Sequence, residues 1–325
     1  LALSEMSLSG GYTGLTPYSF AERMKKAAEK VGWYGYVLHA DHLTVKKGTE
    51  EEIENVKKEI KARVEAGFTS FAVDASFLFD RSAKTVPEQL KRIIEVGISL
   101  FKYIGELMAG RDYGREGEVG EIGIAEFTTV EEATYYVENM HKNGIELDCL
   151  AIANGSKHGV TVDAEGKIVP QLTINLKRTV EIADALRAKG YRTGIAQHGI
   201  TGTPLPLIAT KFPKGKIIKG NVGTFWMLLV WEILQVFKPE LYEKIYSWTI
   251  ENYGKEGVPE IKTFNKNSKY AIKKFFNDLE NLDDFTKTAI RAKAYAEALT
   301  FFKAFGMKET AKRVYDYLVK NNIKY

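Results

Sequence analysis

Cysteine occurs once in the chain, at Cys149. A single thiol excludes an internal disulfide and suits a reducing cytoplasm. Glutamine is scarce too, found at positions 89, 171, 197 and 235 beside abundant Lys and Glu, a balance that hints at a thermophile. No apolar run reaches transmembrane length, and no signal-peptide pattern opens the chain as given. Nor is one sign of charge in excess. The 46 basic and 42 acidic residues are interspersed and leave a net charge of +4, which argues against nucleic acid or a membrane surface as the main partner. What is present is the composition of an ordinary globular enzyme, 45% hydrophobic and 27% charged. Its 325 residues suit one large domain or two average ones, and α/β barrels reach this size as a single domain.

Short apolar runs alternate with helical periodicity. Strands are expected near 1–7, 35–39, 69–74, 115–119, 147–153, 194–197 and 216–220. Helices are expected over 17–31, 49–66, 86–108, 173–188 and 225–237, with another opened by the capping box Thr129-Val-Glu-Glu132. Strand, polar strand end and helix, repeated every 30–45 residues or so, are the signature of a parallel α/β fold. Seven strands plus one expected before Leu1 would close a TIM (β/α)8 barrel over residues 1–238. From Pro239 to Tyr325 the pattern is helical throughout, which predicts a C-terminal helical extension packed on the barrel or on a partner subunit.

Polar chemistry gathers where the strands should end, which is where such barrels carry their active sites. Residues 34–42 run Tyr-Gly-Tyr-Val-Leu-His-Ala-Asp-His, placing two imidazoles and a carboxylate within four residues. Of the five histidines, His42, His158 and His198 end strands, and two of these are followed directly by glycine, at Gly159 and Gly199. Three imidazoles at one rim match a catalytic zinc site, which takes three protein ligands and keeps one position open. His39 falls three residues before His42, so in a continuing strand the two face opposite ways, and His39 is expected to hydrogen-bond behind the site. His141 reads as a surface helix residue. Asp41 is the candidate acid/base, with a turn aspartate as the alternative. Asp74 and Glu118 would orient ligands or bind metal at a second position, or be structural. The turns Gly199-Ile-Thr201-Gly-Thr203 and Asn221-Val-Gly223-Thr224 offer backbone NH groups and hydroxyls suited to a phosphate.

From about Ser7 to Thr224 these motifs together resemble the class II, zinc-dependent fructose-bisphosphate and tagatose-bisphosphate aldolases. His39-Ala-Asp41-His42 resembles the family's HxDH, and Gly67 to Ser76 its GfTSvmiDgS strand. Glu116-Gly-Glu118-Val-Gly120 with Gly123 and Glu126 resembles EaELGxxGGxE. Asn154-Gly-Ser-Lys-His158-Gly159 is similar to GtxHG, Gln197-His198-Gly199-Ile-Thr201-Gly to HGgSG, and Lys219-Gly-Asn221-Val-Gly223-Thr224 to KiNiaT. The resemblance implies zinc on His42, His158 and His198, with cobalt or manganese as substitutes and a monovalent cation beside it. It implies Asp74 and Glu118 as secondary metal-site residues and Asp41 as acid/base on the aldehyde half. Glu126 would be the loop carboxylate that deprotonates the ketose-derived half. Ser7, Gly159, Gly199, Thr201, Asn221, Gly223 and Thr224 would hold substrate and phosphate. The chain departs from the pattern at Ile200 (a glycine in the family), at Thr201 (a serine) and at Lys157, and the bulkier Ile200 is expected to alter the phosphate pocket.

The reaction so implied is reversible cleavage of fructose 1,6-bisphosphate to dihydroxyacetone phosphate and glyceraldehyde 3-phosphate through a zinc-stabilised enediolate, in a cytoplasmic homodimer or homotetramer. Two other readings use the same residues: an aldolase for tagatose bisphosphate or a related ketose, or a metal-dependent sugar epimerase. A non-catalytic sugar-binding or partner subunit is the third, and the presence of every expected site residue weighs against it.

Overall fold

Threonine stands at the start of each of the first four helices. Thr16, Thr49 and Thr129 each accept a backbone NH from their own first turn, and Ser19, Glu88 and Glu132 complete capping boxes with Thr16, Thr85 and Thr129. The helices that follow are α1 (Pro17–Val31), α2 (Glu50–Glu65), α3 (Val86–Met108), α4 (Val130–Lys142) and α5 (Leu176–Ala188). The structure, a computed structural model, describes residues 1–120, 127–157, 159–163 and 168–321.

The strands between them are β1 (His39–Thr44), β2 (Ser70–Asp74), β3 (Gly114–Val119), β4 (Cys149–Ile152), the short pair β5 (Thr161–Val162) and β6 (Ile168–Val169), β7 (Gly194–Gln197) and β8 (Ile217–Gly220). Among the described residues β1-β2-β3-β4-β7-β8 form one parallel sheet in that order, while β5 and β6 pair antiparallel apart from it. The sheet is curled. Lys219 on β8, one edge in the pairing order, lies 2.8 Å from His39 on β1, the other edge. Leu43, Phe71, Val73, Leu150 and Ile195 of the strands pack on Ile60, Ile93, Leu100, Val137 and Ile182 of the helices, forming the main core. Burying each such side chain is worth about 1.5–3 kcal/mol.

Three expectations need correction. The described residues contain six parallel strands in a half-barrel, and a full eight-stranded closure is not what they show. Residues 1–7 form turns, because their polar groups bond locally. Glu5 and Met6 NH donate to the Ala2 carbonyl, and the Glu5 carboxylate accepts the Ala2 NH at 2.8 Å. The central strand begins at His39, where 35–39 was expected. Val37 is exposed, and pairing with β2 starts at His39 and Ser70, whose side chains hydrogen-bond at 2.7 Å. Polar residues fill this strand because each finds a partner.

The N-terminal turns are tied down by Arg63 of α2, whose side chain is fully buried. It donates to the Met6 carbonyl at 2.6 Å and to Glu59 at 2.7 Å, and Glu59 accepts the Leu8 NH. Arg63→Ala is expected to lower unfolding free energy by about 3 kcal/mol, the cost of breaking a buried ion pair from one side. A urea melt checks this, and a loss under about 1 kcal/mol would deny Arg63 that role.

After β7 come α6 (Leu205–Lys211), α7 (Thr224–Phe237), α8 (Pro239–Tyr253), α9 (Glu260–Asn267), α10 (Ala271–Lys274), α11 (Phe276–Glu280), α12 (Asp284–Ala304) and α13 (Thr310–Lys320). Trp231 and Leu234 of α7 pack with Tyr242, Ile245 and Phe264, and Phe301 and Ala304 of α12 pack with Ile208 and Phe212. Among the described residues no helix is long and apolar enough to cross a membrane.

Candidate active site

A cavity of about 550 Å³ opens at the C-terminal ends of the strands. Asp41, His42, Asp74, Glu118, His198 and Asn221 line it from five strands or the residues just beyond them, and Ser4, Glu5 and Tyr12 wall one side. Lys269, which lies between α9 and α10, reaches it from the C-terminal helices.

A backbone irregularity in β1 builds its centre. The register with β2 shifts between Ala40 and Leu43, and His42 sits at a φ of 41°. For a residue with a Cβ that left-handed conformation costs about 1–2 kcal/mol. It lets His39, Asp41 and His42 all meet interior partners while Ala40 and Leu43 enter the core behind the sheet. The expectation that His39 and His42 would face opposite ways fails for this reason. His39 nevertheless does hydrogen-bond beside the cavity, to Ser70 and Lys219.

His42 Nδ1 lies 3.2 Å from Asp74 and 3.1 Å from Glu118, and its ring centroid is 4.7 Å from that of His198. Asp74 is fixed from its other oxygen by the Ser76 hydroxyl and NH, at 2.7 and 3.1 Å. One donor atom each from His42, Glu118 and His198 lies within 4.8 Å of the others. This donor set fits a divalent metal ion, because two imidazoles and a carboxylate suit zinc and similar ions. The electrostatics agree. Burial and the Asp74 charge push Glu118 up to about 8, and burial of His42 is outweighed by Glu118 and Asp74, which raise it to about 12. A cation bound there would relieve this crowding of buried carboxylates. His158, expected as a third imidazole, and Glu126, expected as the loop carboxylate, lie outside the described residues.

Asp41 is held from both oxygens. Lys219 Nζ donates to Oδ1 at 3.1 Å and Asn221 Nδ2 donates to Oδ2 at 2.9 Å. Burial opposes its charge, but Lys219 and His39 hold the carboxyl well below its usual range. It is thus a carboxylate, 4.0 Å from the His42 ring.

The two glycine-rich turns face the same cavity. Gly159, Gly199, Thr201, Asn221, Gly223 and Thr224 all line it. Gly223 and Thr224 open α7, whose N-terminal dipole and free NH groups favour an anion. At Gly199, with φ of 75°, an added Cβ would lie 2.5 Å from the Gln171 amide and 2.8 Å from the Lys157 carbonyl. Gln171 locks this turn by donating to the Gly199 carbonyl at 2.6 Å and accepting the Lys157 NH. Ile200 packs into the cluster of Ile208, Phe212 and Phe301 and is not among the residues that line the cavity. Ser7 is not on this cavity. Its hydroxyl contacts Ser9 and the Gly11 NH, while Ser4 takes the lining position.

Sequence reasoning gave no role to Lys219 or Glu116, which meet at 2.6 Å. Their signal was that each is a charged residue within a strand, Glu116 at a buried position of β3 and Lys219 at a half-buried one of β8, and such residues require partners.

The comparisons with known proteins bear on this arrangement. Three solved structures share the fold at low identity. The fructuronate-tagaturonate epimerase UxaE from Cohnella laeviribosi matches with a TM-score of 0.61 and 14% identity, over 94% of this chain and 76% of that one. A probable tagatose 6 phosphate kinase from Sinorhizobium meliloti 1021 matches at 0.59 and 14%, over 89% and 78%. The fructose-bisphosphate aldolase from Campylobacter jejuni matches at 0.50 and 17%, over 92% and 78%. No curated protein matches in sequence. The model of one family, fructose-bisphosphate aldolase class-II, matches residues 6–281 and so runs well past Pro239. With its half-barrel, its His42–Glu118–His198 donors and that match, the chain belongs to the class II fructose-bisphosphate aldolase family.

Proposed function

We propose that this chain is a metal-dependent aldolase that reversibly cleaves a ketose phosphate, with fructose 1,6-bisphosphate as the leading substrate. One observation carries the reading. Asp41, a carboxylate held by Lys219 and Asn221, shares a cavity with the His42–Glu118–His198 donors and with the N-terminus of α7. His42 and His198, with Glu118 and with His158 as the resemblance implies, would hold the metal, for which zinc is the first choice. When bound, the metal supplies Lewis-acid polarisation of the ketose carbonyl. Asp74 would fix the His42 ring from behind.

The protein groups divide the remaining work. Gly223, Thr224 and the Gly199–Thr201 turn anchor a phosphate, which orients the sugar across the cavity. In cleavage Asp41 takes the proton from the hydroxyl that becomes the aldehyde oxygen, and in condensation it returns that proton. Glu126 would exchange the proton on the carbon next to the carbonyl. Oligomerisation as a homodimer or homotetramer and a cytoplasmic setting are part of the same proposal. So is the division into a barrel over 1–238 and a helical extension over 239–325.

Product analysis tests it. Fructose 1,6-bisphosphate incubated with the protein should yield dihydroxyacetone phosphate and glyceraldehyde 3-phosphate. Accumulation of a C4 epimer without free triose would replace cleavage by epimerisation, which needs the same bond broken and remade on the other face.

A further inference from the structure

Beside the metal-type donors lies a second group of similar composition. One donor atom each from His39, Asp41 and Glu116 lies within 4.8 Å of the others. Here the centre is filled by a side chain of the protein. Lys219 Nζ lies 2.6 Å from Glu116 Oε2, 2.8 Å from His39 Nε2 and 3.1 Å from Asp41 Oδ1. An ammonium has three donors and these contacts account for all of them, so none is left for a substrate oxygen.

The surroundings hold the lysine rigidly. Glu116 is buried on β3, and His39 on β1 is fixed through its other nitrogen by Ser70 on β2. Lys219 comes from β8 and is followed two residues later by Asn221, which binds the second oxygen of Asp41 at 2.9 Å. A carboxylate gripped at both oxygens by two residues of one strand end has its rotation removed. Its orientation toward the cavity is then set before any substrate arrives, as catalytic groups require.

We infer that Lys219 is an internal cation whose function is to position Asp41, with Glu116 and His39 as the posts that hold the ammonium in place. It is a positioning residue that acts through Asp41 and does not touch the substrate. The inference rests on the proposed acid/base role of Asp41.

The test is a double-mutant cycle with a structural readout. Lys219→Met would leave Glu116 buried without its partner, so the pair Lys219→Met with Glu116→Gln is made beside it to preserve folding. In either variant kcat should fall about 100-fold, the scale of losing one preorganised donor, while KM stays within about threefold. Added to Asp41→Ala, the same changes should cost less than about threefold more, because the residue they act through is already gone. Metal content should stay at the wild-type level. A crystal structure of the doubly substituted protein should show the Asp41 carboxylate displaced from Asn221. An equal kcat loss with and without Asp41 would overturn the inference, as would a raised KM with kcat kept. An Asp41 carboxylate that stays in place would overturn it too, and that result can be read even if the wild-type protein shows no aldol cleavage, which would sink the aldolase reading separately.

Discussion

Asp41→Ala is expected to lower kcat for triose phosphate release by about 10²–10⁴-fold, the range for loss of a general acid/base. Bound metal should stay near the wild-type level. Asp41 contacts Lys219, His39 and Asn221, and it comes only within 4.0 Å of the His42 ring. Its removal leaves His42, Glu118 and His198 in place, and Lys219 keeps Glu116 and His39 as partners. Steady-state kinetics and metal analysis on the same sample make the comparison. Turnover near the wild-type rate would remove Asp41 from the chemistry.

His42→Ala should act on the metal itself. The imidazole stands between Asp74 and Glu118 at 3.2 and 3.1 Å and packs on His198, so no neighbour replaces it. Affinity for zinc should fall by at least about 100-fold, since even groups that only orient metal ligands are worth about 10–100-fold. Activity should fall with it, and a large excess of metal should restore part of what is lost. Zinc titration of the stripped variant reads the first effect without reference to turnover. An unchanged zinc affinity would show that His42 is no ligand.

Much of this architecture was legible because helices declare themselves locally. The helical spacing of residues 17–31 and the long helix expected over 86–108 agree with the observed bounds of α1 and α3, and the Thr129–Glu132 capping box forms as read. Strands were harder, since their pairing is decided far away in sequence. Leu1-Ala-Leu looks like a strand, yet the local hydrogen bonds among Ala2, Glu5 and Met6 win there. The bulge that turns His42 inward depends on register with β2, which no local pattern carries.

The site divides the same way. Asp41, His42, Asp74, Glu118 and His198 were readable as polar residues at strand ends, and they do line one cavity. Ile200 looked like an intrusion because its backbone turn, which sends the side chain toward Phe212, is set by Gly199 and Gln171. Lys219 and Glu116 were visible as charged strand residues, but their joint contact with Asp41 was not, because it requires β1, β3 and β8 to converge.

The most direct measurement is triose phosphate release from fructose 1,6-bisphosphate, taken on the protein as purified, after a chelator, and after zinc or cobalt is restored. Metal-dependent aldol cleavage predicts release that disappears with chelation and returns with metal. Release that survives complete removal of metal, or no release from folded protein carrying metal at His42 and His198, would contradict it.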